Sequence, residues 1–122
     1  MPLHILVVDD EPAIRMLCRV NLQADGMSVD EAWDSDSALE AARARRPDAV
    51  VLDVMLPGDD GFAVAASLRD VPGMEGVPIM LLTARADLDG SELVRRSGAA
   101  AVLTKPFNPV DLSERLRAMT RR

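Results

Sequence analysis

Residues 4–12 read HILVVDDEP: an apolar run from His4 to Val8 that ends in three consecutive acids, Asp9, Asp10 and Glu11, before Pro12. A short continuous run of this kind suits a strand covered on both faces, as in a parallel sheet packed under helices. Pro12 suits the first turn of a helix, where the N–H that proline lacks has no intrahelical partner. The stretch therefore reads as a strand, a sharp turn and a helix. Acids at its carboxyl end could simply favour the N-terminus of the helix that follows, or they could answer a chemical need.

The pattern repeats along the chain. Apolar runs appear at Leu3–Val8, Met27–Ala32, Ala49–Leu52, Pro78–Leu82 and Ala100–Thr104, separated by segments with helical spacing. This alternation predicts five strands and five helices in an α/β, doubly wound parallel sheet with right-handed crossovers. In the first helix Ile14, Leu17, Cys18 and Leu22 form an inward stripe that stops near Gly26. The next helices fall at Asp34–Arg46, Phe62–Leu68 and near Asp87–Ser97, the last of these weakened by Gly90 and Ser91. Asn108 and Pro109 open a final helix carrying Leu112, Leu116 and Met119. Cys18 reads as core, Trp33 as packing over a helix edge, and His4 as structural, because it begins its strand far from the acids.

Composition narrows the function. The 122 residues suit one domain, 1–122, and with 2% aromatic residues the core must be aliphatic. A net charge of -6 argues against a nucleic-acid surface, which needs concentrated basic charge. The chain shows neither a membrane-span run nor the head and cleavage site of a signal peptide, and its one cysteine excludes an internal disulfide. The expectation is a soluble, cytoplasmic protein without direct membrane or nucleic-acid partners.

In open α/β sheets ligands bind beyond the carboxyl ends of the strands. Here the first strand ends in Asp9 and Asp10, the third in Asp53, the fourth in Thr83 and the fifth in Lys105. Crowded carboxylates on neighbouring strands repel one another and are relieved by a cation. Oxygen-only donors with room for water suit Mg2+, and no histidine or cysteine is placed for zinc. A fixed ammonium and a hydroxyl opposite the acids suit a phosphoryl group, and a carboxylate can be its nucleophile. Asp53 is the candidate, because the loop Val54-Met55-Leu56-Pro57-Gly58 that follows offers backbone amides to the transferred group.

VVDDEP, VVLDVMLPGDDGF, PIMLLTARAD and LTKPF, in this order and spacing, resemble the receiver domain of bacterial two-component response regulators. The resemblance covers the whole chain. It implies a flavodoxin-like sheet of order 2-1-3-4-5, for which the receiver fold is a standing illustration. It further implies Asp53 as phosphoacceptor, with Thr83 and Lys105 as the other catalytic residues and Met55 and Ala84 as phosphoryl-binding positions. Asp10, Asp53 and the Met55 carbonyl would hold Mg2+ directly, with Mn2+ as a substitute, and Asp9 would act through water. Lys105-Pro106 would be cis, and Gly61 would open the third helix.

The resemblance also implies the partners: a histidine kinase or histidine phosphotransfer protein, an effector domain or downstream protein, and a weak homodimer formed on phosphorylation. Such a protein catalyses its own phosphotransfer and slow autodephosphorylation, but is mainly a signalling protein. Met55 and Arg85, at the positions that tune hydrolysis in the family, imply a long-lived phosphorylated state. One position departs from the pattern: Val102 stands where the family places Tyr or Phe, and a valine has no ring to swing inward. Two rival readings follow. One is a constitutive, receiver-like interaction module that signals without phosphorylation. The other is a flavin carrier on the same fold, which the acid-crowded rim and the lack of tyrosine disfavour.

Overall fold

The structure, a computed structural model, describes residues 2–56, 58, 60–84 and 90–121. In chain order the elements are β1 (His4–Val8), α1 (Pro12–Ala24), β2 (Ser28–Ala32), α2 (Ser35–Ala44), β3 (Ala49–Asp53), α3 (Gly61–Arg69), β4 (Ile79–Thr83), α4 (Gly90–Ser97), β5 (Ala101–Thr104) and α5 (Pro109–Thr120). All strands pair in parallel, as the alternation of elements predicts, and in the order β2-β1-β3-β4-β5 that the resemblance implies. The predicted bounds differ from these by one or two residues at most ends. The predicted start of the fourth helix at Asp87, and Arg85, lie outside the described residues.

Alternation along each strand divides the core between the two faces of the sheet. Leu6, Val8, Val50, Leu52, Ile79 and Leu81 pack with Ala38 and Ala42 of α2 and Val64, Ala65 and Leu68 of α3. Ile5, Val7, Val51, Met80 and Leu82 pack with Cys18 and Leu22 of α1 and Leu112 and Leu116 of α5. Strands β1, β3 and β4 are buried at every position, which explains why their sequences are continuous rather than alternating. Each fully buried leucine contributes on the order of 1.5–3 kcal/mol.

Helix starts follow local chemistry. Asp34 accepts from the Ser37 N–H at 2.8 Å and Ser37 Oγ accepts in return from the Asp34 N–H at 3.1 Å, which closes a capping box on α2. Asn108 caps α5 by accepting from the Val110 N–H at 2.9 Å, ahead of Pro109. Gly61 opens α3 for a steric reason. A Cβ there would lie 2.6 Å from the Val54 carbonyl oxygen, so only glycine lets the helix start this close to the end of β3.

One packing expectation is corrected. Leu17 is 38% exposed, because Ile14, Cys18 and Leu22, spaced four apart, already supply the inward face of α1 and leave Leu17 on its flank. Trp33 follows β2 at the rim, 53% exposed, with the guanidinium of Arg15 from α1 5.9 Å from its ring centroid. His4 is buried and structural, with its ring nitrogens bonded to Ser28 Oγ at 2.7 Å and Asp30 Oδ2 at 2.8 Å on neighbouring β2. Among the described residues no helix is long and apolar enough to cross a membrane.

Candidate functional site

The chain turns one way from β1 to β2 and the other way to β3, so the sheet's winding reverses between β1 and β3. Their carboxyl ends lie side by side, with Val8 in register with Leu52. The residues that follow, Asp9 and Asp10 on one strand and Asp53 on the other, are therefore brought to one point by topology alone. Each offers a carboxylate oxygen within 4.8 Å of the others, and Asp9 and Asp53 are buried while Asp10 is half-buried.

Lys105 reaches this point from the far side of the sheet. Its N–H donates to the Thr83 carbonyl at 2.7 Å, which extends the pairing of β5 with β4 by one residue and aligns the lysine with the rim. Its Nζ donates to Asp9 Oδ2 at 2.7 Å and to Asp53 Oδ2 at 3.2 Å, and lies 3.5 Å from Glu11 Oε1. The Lys105-Pro106 bond is cis. Thr83 ends β4 buried, Ala84 follows it exposed, and Met55 is 61% exposed with its N–H donated to Asp53 Oδ1 at 2.9 Å. Every site residue read from the sequence thus falls on one rim.

Burial is the largest influence on the Asp9 carboxyl and, with the nearby Asp53 charge, pushes its pKa above the usual value. Hydrogen bonds from Lys105 and the Glu11 amide oppose that rise without cancelling it. For Lys105, burial alone acts to lower the pKa. The hydrogen bond to Asp9 and the charges of Asp9 and Asp53 outweigh it, and the net shift is upward. The pocket is held together by one shared ammonium and strained by its acids.

Two contributors escaped the sequence reading. Glu11 joins the lysine's partners, and Arg15 donates from Nη1 to the Asp9 carbonyl at 2.8 Å. The available signal for Arg15 was its spacing: Arg15 and Arg19, four apart, share a helix face, and both pair with Glu31 on β2.

Residues 5–117 match the sequence model of the response regulator receiver domain. The chain belongs to that family. This receiver is 42% identical over 119 residues to the transcriptional regulatory protein CseB of Streptomyces avermitilis, covering 98% of this chain and 49% of CseB. It spans about half the length of the curated relatives it matches. The chemotaxis protein CheY4 of Vibrio cholerae superposes with a TM-score of 0.90 at 31% identity, covering 98% of this receiver and 99% of CheY4. The receiver domain of the sensor histidine kinase PA1611 from Pseudomonas aeruginosa, with a magnesium ion coordinated in its active site cleft, superposes at 0.85 with 29% identity, over 98% of each chain. The five-stranded fold and a role in two-component signal transduction follow from this membership.

Proposed function

We propose that residues 1–122 form one receiver domain that works in the cytoplasm as a phosphorylation switch, with Asp53 as the phosphoacceptor. The observation that carries the reading is the position of Asp53. Its carboxylate is buried at the winding reversal, within reach of two further acids and of the Lys105 ammonium. The donor is phosphohistidine on a kinase or phosphotransfer protein.

The all-oxygen donor set fits a hard divalent cation, and the magnesium-bound PA1611 receiver supports the assignment. Asp10, Asp53 and the Met55 carbonyl would hold Mg2+, and Asp9 would support it. Bound there, it supplies positive charge to the phosphoryl oxygens. The chain's own residues do the rest. An Asp53 oxygen attacks phosphorus as the phosphorus–nitrogen bond to the donor imidazole breaks. The Met55 N–H holds the carboxylate's orientation, and Lys105 faces the charge that develops. The Thr83 hydroxyl and the Ala84 amide receive the transferred group, and the Met55 N–H passes to it from the Asp53 carboxylate as the phosphoryl oxygens arrive. The exposed Met55 thioether brings no strong hydrogen-bonding group to orient attacking water, which supports a long-lived phosphoryl state.

The added charge biases a population of conformers and so regulates an output, through an effector domain, a downstream protein or a weak homodimer. Acetyl phosphate with Mg2+, followed by intact mass, tests the reading. A single phosphoryl adduct is expected, absent with EDTA and absent in Asp53→Asn. No adduct, or an adduct that survives in Asp53→Asn, refutes it. Val102, half-buried on β5 where an aromatic ring is usual, favours the rival reading of a constitutive interaction module. The same adduct excludes that rival.

A further inference from the structure

Arg15 stands one turn into α1 with its side chain only 16% exposed, and its contacts converge on the acidic rim. Nη1 donates to the Asp9 carbonyl at 2.8 Å, Nε donates to Glu31 Oε1 at 3.3 Å, and the guanidinium carbon lies 5.9 Å from the Trp33 centroid, within cation–π range. The Asp9 N–H is already bonded to the Ala32 carbonyl at 3.1 Å. Asp9 is therefore held at both of its peptide groups. The carbonyl that Arg15 holds belongs to the peptide joining Asp9 to Asp10, so fixing it fixes the direction in which Asp10 leaves the strand.

We propose that Arg15 is a positioning residue for the Mg2+ site, locking the Asp9–Asp10 peptide so that both acids face Asp53, and that it links this corner to Trp33, whose emission reports cation binding. This rests on the phosphorylation-switch reading. The sign of one substitution separates positioning from simple charge. Arg15 is a cation beside an acidic pocket; if charge were its only effect, removing it would make the pocket more negative and tighten Mg2+ binding. Loss of positioning does the opposite. Arg19 is the matched control: it pairs with the other Glu31 oxygen at 3.1 Å, one turn further along α1.

The test is a Mg2+ titration of the whole chain, followed by calorimetry and by Trp33 emission, in wild type, Arg15→Ala, Arg15→Lys and Arg19→Ala, with melts in EDTA to establish folding. Groups that orient metal ligands typically contribute a factor of about ten or more in affinity. Arg15→Ala is expected to weaken binding by about that factor and to lose the Mg2+-dependent change in emission. Its phosphoryl adduct returns at saturating Mg2+. Arg15→Lys recovers part of the affinity, because an ammonium reaches the Asp9 carbonyl without the planar fork that also engages Glu31. Arg19→Ala stays within about twofold of wild type, since only its charge is lost. Should the alanine variant be unfolded at the assay temperature, the lysine variant decides, and it must bind more weakly than wild type. Unchanged or tighter binding in Arg15→Ala, or equal weakening in Arg15→Ala and Arg19→Ala, overturns the inference and leaves the switch reading intact. A wild type that binds no Mg2+ and takes no phosphoryl group overturns the switch reading itself.

Discussion

Replacing Lys105 by methionine keeps the length of the side chain and removes the one ammonium shared by Asp9 and Asp53. Those carboxylates are 0% and 5% exposed, and the lysine side chain is 11% exposed. Leaving a buried charge without its partner costs about 3–5 kcal/mol in a closed interior. This pocket opens to water past Asp10 and Glu11, so roughly 2–3 kcal/mol is expected, or a fall in Tm of about 8–12 °C for a domain of this size. The assay is thermal unfolding in EDTA across a pH series. Burial holds the Asp9 pKa above its unfolded value, so the cost of its charge is absent below the unfolded pKa and appears as pH rises through the folded one. The gap between variant and wild type should therefore be widest near neutral pH and should close as acid protonates Asp9. Lys105, whose own pKa is raised, keeps its full contribution up to the ordinary lysine range and loses it only as pH climbs through its higher folded value. Millimolar Mg2+ should also narrow the gap. An unchanged Tm in EDTA, or a gap that widens toward acid, would refute the view that this lysine neutralises two buried acids.

Other perturbations follow from single contacts. Gly61→Ala drives a Cβ to 2.6 Å from the Val54 carbonyl, and the resulting displacement should cost about 1–3 kcal/mol, read as a lower urea midpoint with an unchanged slope. Cys18 lies buried with its thiol pKa pushed up to about 12, chiefly by desolvation, so a disulfide reagent near neutral pH should label it only at the rate of unfolding. Rapid labelling of the native protein would show that α1 does not seal this face. Asn108→Ala removes the acceptor for the Val110 N–H and should lower stability by about 1 kcal/mol in chemical denaturation while leaving the phosphoryl adduct intact.

Strand existence was legible because parallel strands buried on both faces leave unbroken runs such as Val50-Val51-Leu52, and the acids stood out because they ended those runs. Bounds moved by a residue or two because hydrogen-bond pairing, not hydropathy, sets where a strand stops. Leu17 was misread because a periodic stripe states which residues can face inward, not how many the sheet has room for. The bond from Lys105 to Asp9 joins residues 96 apart and depends on strand order, which here entered through the resemblance to receivers and not from local pattern. Arg15 was missed because its decisive partner is a backbone carbonyl, and backbone leaves no trace in residue identity.

Strands β1 and β3, which carry the three acids, are walled in by helices on both sides, and their side chains have nowhere to go. They behave as an anvil. A change in charge struck on it is poorly absorbed by moving it, since that would open a core packed on both faces. A displacement finds more room outward, at the margins of the sheet, where four residues of β2 and Ala101, Val102 and Thr104 of β5 already meet water. The anvil stays still, and the margins are where the blow can be felt.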